Sequence, residues 1–307
     1  VSADTDVVLG VNTRVELADV AERMRRRILR GWMLAGVTVV DPATTYVDAD
    51  VRIGMDTTLL PGTHLSGATR IGEDCRIGPQ VVVADSVVGD RCKIGPFAHL
   101  RPGTVVTDAG STKRDVVAAL RSHLGAALAD VVPAHPIAGA EKSGVEAAFA
   151  ELYMGRKVVL TPLPESRPEA VQKVRDAWEA CGANVVGMTP QEHDRVFAAV
   201  SHLPHLLAFG LVDDLAGRSN APLLFSHAAS GFRDFTRIAG SHPEMWRDIC
   251  VANRVALLEE LDAYLGELAR LRMMLVEGDG DGLEAVFERA RRARNAWAEG
   301  LPIRTAE

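Results

Sequence analysis

Between residues 47 and 100, aliphatic side chains return every six positions: Val47, Ile53, Leu59, Leu65, Ile71, Ile77 and Val83, then, after one five-residue step, Val88, Ile94 and Leu100. Two places before most of them stands a small or β-branched residue: Val51, Thr57, Thr63, Thr69, Cys75, Val81, Ser86, Cys92 and Ala98. Glycine follows at Ile53-Gly54, Ile71-Gly72, Ile77-Gly78, Val88-Gly89 and Ile94-Gly95. A six-residue period fits neither the 3.6-residue helix nor the alternating strand. It predicts a triangular β-solenoid in which each hexapeptide forms one face and three faces make a coil, so that the span holds about three coils. The aliphatic residue fills the narrow interior, the small residue sits beside it, and glycine or a polar residue turns the corner.

On either side the pattern changes. Residues 13–34 carry an apolar stripe (Val15, Leu17, Val20, Met24, Ile28, Leu29) between charges, with Asn12 or Thr13 as cap, which predicts an amphipathic helix stopped by Gly36. After Val105 the six-residue repeat is gone. A strand-like Val105–Thr107 leads into a helix over 113–123, and Val131-Val132 meets His135. A helix over 144–153, a strand over 158–161, a helix over 168–181 and a strand over 184–188 follow. Such alternation is the signature of a parallel α/β sheet. Beyond Pro190 the pattern is helical throughout: 192–215, about 222–238, 244–276 and 283–297. Four regions result: 1–36, a connecting helix; 37–104, the solenoid; 105–189, the back half of an α/β domain; and 190–307, a helical bundle suited to self-association.

Composition narrows the function classes. Among 307 residues, 34 Lys and Arg against 41 Asp and Glu give −7, and no basic block could neutralise a run of phosphates, which excludes a general nucleic-acid binder. No apolar run approaches the ~20 residues of a membrane span. The start, Val-Ser-Ala-Asp, has no signal pattern and reads as a cut or processed end. The four cysteines lack metal-ligand or framework spacing, consistent with reduced cytoplasmic thiols.

Polar constellations in the second half carry the candidate chemistry. Asp108-Ala109-Gly110-Ser111-Thr112-Lys113 at a strand-to-helix turn offers a hydroxyl, backbone N–H groups and a lysine to an anion, or simply an N-cap by Ser111 or Thr112. His135, held between Ala134 and Pro136-Ile137-Ala138-Gly139 and followed by Glu141, is placed as an acid or base, or is structural. Ser201-His202-Leu203-Pro204-His205, preceded by Glu192-His193-Asp194, puts His202 and His205 on one helical face, with Pro204 forcing a kink. Zinc lacks a third ligand nearby. Arg233 and Arg237, four apart, could fork a carboxylate or pair with Asp234 or Asp248. The acidic 277–282 loop reads as a solvated connector.

Taken in order, Asp108–Lys113, His135–Gly139, Ser201–His205, Phe235-Thr236-Arg237-Ile238-Ala239 and Met245-Trp246-Arg247-Asp248 resemble prephenate dehydrogenase and the related arogenate and cyclohexadienyl dehydrogenases over residues 104–298. The resemblance implies NAD- or NADP-dependent oxidative decarboxylation in tyrosine biosynthesis. It implies His135 hydrogen-bonding the ring hydroxyl, Ser111 assisting, and Arg237 gripping a carboxylate. His202 and His205 would line the pocket, and Glu141, Arg233 and Lys113 would complete the binding of a small dicarboxylate. Asp108 and Gly110 would be part of the cofactor site. The family's Gly-x-Gly-x-x-Gly fingerprint occurs nowhere in this chain.

Residues 9–104 resemble a different enzyme, the bifunctional N-acetylglucosamine-1-phosphate uridyltransferase/glucosamine-1-phosphate acetyltransferase. The residues are Leu9-Gly10-Val11-Asn12-Thr13-Arg14, Leu34-Ala35-Gly36-Val37, Asp41-Pro42-Ala43 and Gly95–Thr104. This implies the connecting helix and first coils of a left-handed parallel β-helix, with Asn12 as a magnesium-site remnant and Arg101 as a sugar-phosphate remnant. The expected chain is a chimera of mixed fold: a short hexapeptide-repeat β-helix, a partial Rossmann-like α/β segment and an all-helical dimerisation domain. Dehydrogenase activity is expected to be impaired. A transferase fragment and a non-catalytic oligomerisation scaffold are the alternatives. Oligomers are expected, dimers through the helical domain or trimers through the β-helix, with neither nucleic acid nor membrane as partner.

Overall fold

The computed structural model describes residues 11–139 and 149–302. The chain divides into two compact units, residues 1–106 and 107–307.

The first unit opens with helix α1 (Arg14–Leu34), capped by Thr13, whose hydroxyl accepts from Glu16 N while the Glu16 carboxylate returns to the Thr13 N–H. Eleven short strands follow, β1 (Thr38–Val39) to β11 (His99–Leu100), wound into three parallel sheets. The rungs stack as the six-residue period requires: Val47 on Leu65 on Val83 on Leu100, Ile53 on Ile71 on Val88, and Leu59 on Ile77 on Ile94. From Val47 to Val88 every aliphatic rung is buried, and Ile94 and Leu100 are half-buried at the end of the stack. Val39, paired with Leu59, adds a rung before the regular repeat begins.

Each fully buried rung contributes about 1.5–3 kcal/mol by removal from water. Three of the small residues beside them are threonines whose buried hydroxyls are satisfied: Thr57 donates to Gly72 O (2.8 Å), Thr63 to Leu60 O (2.7 Å) and Thr69 to Ser66 O (2.7 Å). Gly54 and Gly72 are required by close approach, since a Cβ on either would lie 2.5–2.6 Å from the backbone of the coil above.

In the second unit, the turn from Asp108 enters α2 (Arg114–Leu124). A three-stranded sheet follows: β12 (Ala134–Pro136), β13 (Lys157–Leu160) and β14 (Asn184–Gly187), with α3 (Pro168–Ala180) between the last two. β13 and β14 are parallel, as expected of α/β alternation, but β12 runs antiparallel to β13, so the sheet is mixed. Val105–Thr107 forms only a single bridge residue, at Val106. Of the helix expected over 144–153, residues 149–153 form no helix (150–153 are turn) and the rest lies outside the described residues.

The helical part comprises α4 (Pro190–Phe197), a π turn (Ala198–His202), α5 (Leu203–Ala216), α6 (Ala221–Ser226), α7 (Ser230–Thr236), α8 (Pro243–Ala252), α9 (Arg254–Glu277) and α10 (Gly280–Ala298). The π turn absorbs Pro204, which has no N–H for the carbonyl one turn back. Against the sequence expectation, Pro190–Ala216 is long and apolar enough to cross a membrane by length and composition; 28% of its apolar window is buried within the protein. It also carries three buried polar residues, His193, Asp194 and His202, all hydrogen-bonded internally.

Candidate active site

His135 lies in β12, a short strand held flat by its pairing with Val159. Its ring packs on His193 and Phe197 of α4, with ring centroids 5.0 and 4.9 Å away. The Nδ1 atom of His135 is 2.7 Å from His193 Nε2, and His193 Nδ1 is 2.8 Å from Asp194 Oδ1. The Asp194 carboxylate also accepts the backbone N–H groups of Lys113 (2.9 Å) and Arg114 (3.0 Å), so it caps α2 from a residue far along the chain. Asn253 donates through Nδ2 to the Asp194 carbonyl (2.7 Å) and lies 3.1 Å from His202 Nδ1. His193, Asp194, His202 and Asn253 are all buried.

These groups back a cavity of about 470 Å³ lined by Ser111, His135, Arg156, Ser201, His202 and Trp246, with Ile137, Phe197 and Ile249 among its apolar walls. Burial, reinforced by the charges of His193, Lys113 and His202, drives the His135 imidazole down to about 3, with Asp194 pulling the other way. Burial likewise lowers His202 to about 4. Both rings are therefore neutral at pH 7. Burial tends to raise Asp194, but the bonds from His193, Arg114 and Lys113 prevail and hold its carboxyl below the usual range. A neutral imidazole beside a serine hydroxyl in a half-enclosed cavity can accept a proton or hydrogen bond from a ligand hydroxyl.

Of the candidates, Ser111, His135 and His202 come together on this cavity. His205 does not line it but stacks on Trp246, which does (ring centroids 3.5 Å apart), and donates from Nδ1 to Ser201 O at 2.9 Å. Its imidazole is lowered by burial and by the charge of Arg237, against the bond to Ser201 O. Arg233 is exposed, 3.9 Å from Asp234.

Lys113, expected to bind substrate, is instead fully buried 2.6 Å from Asp108 Oδ2 and does not line the cavity. Asp108 is spent in the same way, accepting from Gly110 N and Ala134 N, so Asp108 and Gly110 brace the turn. Glu141 lies outside the described residues. In the first unit, Arg101 is exposed after β11, and Asn12 uses its backbone N–H on Glu16. Among the described residues no group of three His, Cys, Asp or Glu side chains could hold a metal.

Sequence reasoning missed Arg156 and Trp246 as cavity residues. The Trp246 indole N–H is buried without a hydrogen-bond partner among the described residues. The Met245-Trp246 motif was the available signal; Arg156, at a strand edge, had none.

The fold is a hexapeptide solenoid followed by an α/β segment and a helical part that together line the cavity. Residues 189–289 match the prephenate dehydrogenase dimerization domain, residues 93–187 the prephenate dehydrogenase nucleotide-binding domain, and residues 50–85 the bacterial transferase hexapeptide (six repeats). Cyclohexadienyl dehydrogenase of Zymomonas mobilis is 37% identical over 208 residues, 67% of this chain and 70% of that protein. The crystal structure of Aquifex aeolicus prephenate dehydrogenase with hydroxyphenyl propionate and NAD+ superposes with a TM-score of 0.60 at 40% identity, covering 64% of this chain and 68% of that one. The bifunctional protein GlmU of Caldanaerobacter subterraneus is 46% identical over 122 residues, 34% of this chain but only 27% of its own length. The chain belongs to the prephenate dehydrogenase family, joined to a GlmU-like hexapeptide segment.

The family's cofactor class is NAD(P), and the described residues do not fit its pyrophosphate. That group needs free amides at a glycine-rich strand-to-helix turn. Here the first amides of α2 are already taken by the Asp194 carboxylate.

Proposed function

We propose that the second unit is the substrate half of a prephenate dehydrogenase-type site, binding a hydroxylated cyclohexadienyl dicarboxylate. The observation that carries this reading is the convergence of His135, Ser111 and His202 on one cavity. The ring hydroxyl would donate to His135, with Ser111 beside it. Arg156 and Ser201 line the same cavity and supply donors for carboxylate oxygens, and the Arg237 charge lies near enough to His205 to lower it. A dianion in a low-dielectric cavity gains most from such fixed donors.

The described residues do not form the dinucleotide cradle that a hydride step requires. Loss of a positioned acceptor removes roughly 7–11 kcal/mol of proximity advantage, so turnover by the chain alone is feeble or nil. The test is steady-state turnover of prephenate with NAD or NADP, following the reduced cofactor, with His135→Asn as control. Turnover abolished by that substitution would mean a complete site and would overturn the claim about the cradle.

We infer that the helical part self-associates as a dimer. Its family match is a dimerization domain, and α9 and α10 leave Leu265, Leu275, Phe287 and Trp297 exposed. Light scattering showing a trimer would favour the solenoid as the oligomerising element instead. The relatives are metabolic enzymes and the cysteines are free, which supports a cytoplasmic setting.

A further inference from the structure

We propose that His193, Asp194 and Asn253 are positioning residues that lock the two cavity histidines in opposite tautomers, so that His135 presents a bare Nε2 acceptor and His202 an Nε2–H donor. The argument is one of donors and acceptors. An ionised carboxylate only accepts, and Asp194 already accepts two backbone N–H groups. The third contact, from His193 Nδ1 at 2.8 Å, must therefore carry the proton. With His193 taken as neutral, its Nε2 is then unprotonated, and His135 Nδ1, 2.7 Å away, donates to it. His135 Nε2, which has no partner among the described residues, is left as the acceptor.

On the other side, the Asn253 Nδ2 group donates to the Asp194 carbonyl, which can only accept, and its second hydrogen points the amide at His202 Nδ1 at 3.1 Å. That nitrogen is therefore the acceptor, and His202 carries its proton on Nε2. One dipeptide on α4, with one asparagine at the α8–α9 break, thus fixes both polarities by hydrogen bonds that are buried and shielded from water. A ligand oxygen that donates suits His135, and one that only accepts suits His202. The hydroxyl and a carboxylate of the proposed substrate class have these two characters, and to that extent the inference rests on the proposed function.

The test is long-range ¹H–¹⁵N spectroscopy of the full chain labelled with ¹⁵N-histidine at pH 7, without added ligand, comparing the native protein with His193→Gln and His193→Leu. The native spectrum is expected to show His135 as the Nδ1–H tautomer and His202 as Nε2–H. Gln, whose amide oxygen can still accept, should keep the His135 tautomer, whereas Leu should release it to a mixture. In parallel, hydroxyphenyl propionate should bind the Leu variant about tenfold more weakly than the native chain, the ratio for losing one hydrogen bond, with most of the loss restored by Gln.

An imidazolium at His193, or an Nε2–H tautomer at His135 in the native chain, overturns the proposal whatever the ligand data. If no form binds hydroxyphenyl propionate while the tautomers are as expected, the functional reading fails and the positioning network stands.

Discussion

The two units bury polar groups in opposite ways. In the solenoid each buried threonine hydroxyl is answered by a carbonyl of its own or the next coil, between 3 and 15 residues away. In the second unit Asp194 bonds to donors 80 and 81 residues earlier in sequence, and His193 to a ring 58 residues away. The first kind repeats with the coil and only holds the coil. The second kind occurs once and converges on a cavity. Buried polarity that repeats is architecture, whereas buried polarity that is singular and costly to desolvate marks a site.

The largest expected effect would come from breaking the repeat. Ile71→Asp puts an unpaired carboxylate into a dry interior and should cost more than about 4 kcal/mol, seen as loss of the β-solenoid signal in far-ultraviolet circular dichroism. A native-like spectrum and midpoint would show that the coil interior is not the source of its stability.

Next comes the singular network. Asp194→Ala removes the acceptor for three donors, two of them fully buried, and should destabilise the chain by about 3–5 kcal/mol in denaturant titration. An effect under 1 kcal/mol would mean that the hub is not formed.

A third, smaller effect follows from proton linkage. His135 and His202 have folded values of about 3 and about 4, while the unfolded chain takes up a proton near 6.5. Between these limits the unfolded state binds more protons, so stability falls as pH drops from 7 toward 4, by roughly 2 kcal/mol per ring at pH 5. The groups facing His135 are His193, Lys113, His202 and Asp194; replacing His135 by Asn should flatten its share of the slope in melts at pH 7 and pH 5.

The smallest change is Thr63→Val, which removes one satisfied hydroxyl at constant shape and should cost about 1 kcal/mol or less. A cost several times larger would give the solenoid's polar groups the singular weight assigned to the second unit.

The same contrast explains what could be read from sequence. Every rung from Val47 to Val88 was legible because a six-residue period names its interior positions one by one, and the structure buries all of them. The helices were legible by stripe, but not their breaks. The single helix expected over 222–238 is split because Ser226 and His227 bond back to the Leu223 carbonyl (2.8 and 3.0 Å) and end α6. The expected 244–276 helix breaks at Asn253, whose side chain is committed to Asp194 and His202. His135 and His202 could be picked out from family motifs. That His193 and Asp194 stand behind them could not, since the partners are brought together by tertiary folding. Lys113 misled for the same reason: sequence gives the charge at a turn, and only the fold shows Asp108 neutralising it in the interior.

The most direct measurement is isothermal titration of the purified chain with prephenate and, on the same sample, with NAD+. Saturable binding of prephenate, weakened by His135→Asn, with no measurable heat from NAD+ is the predicted result. Tight NAD+ binding, or a folded chain that takes up no prephenate, would contradict the assignment of the cavity as a substrate half without its dinucleotide cradle.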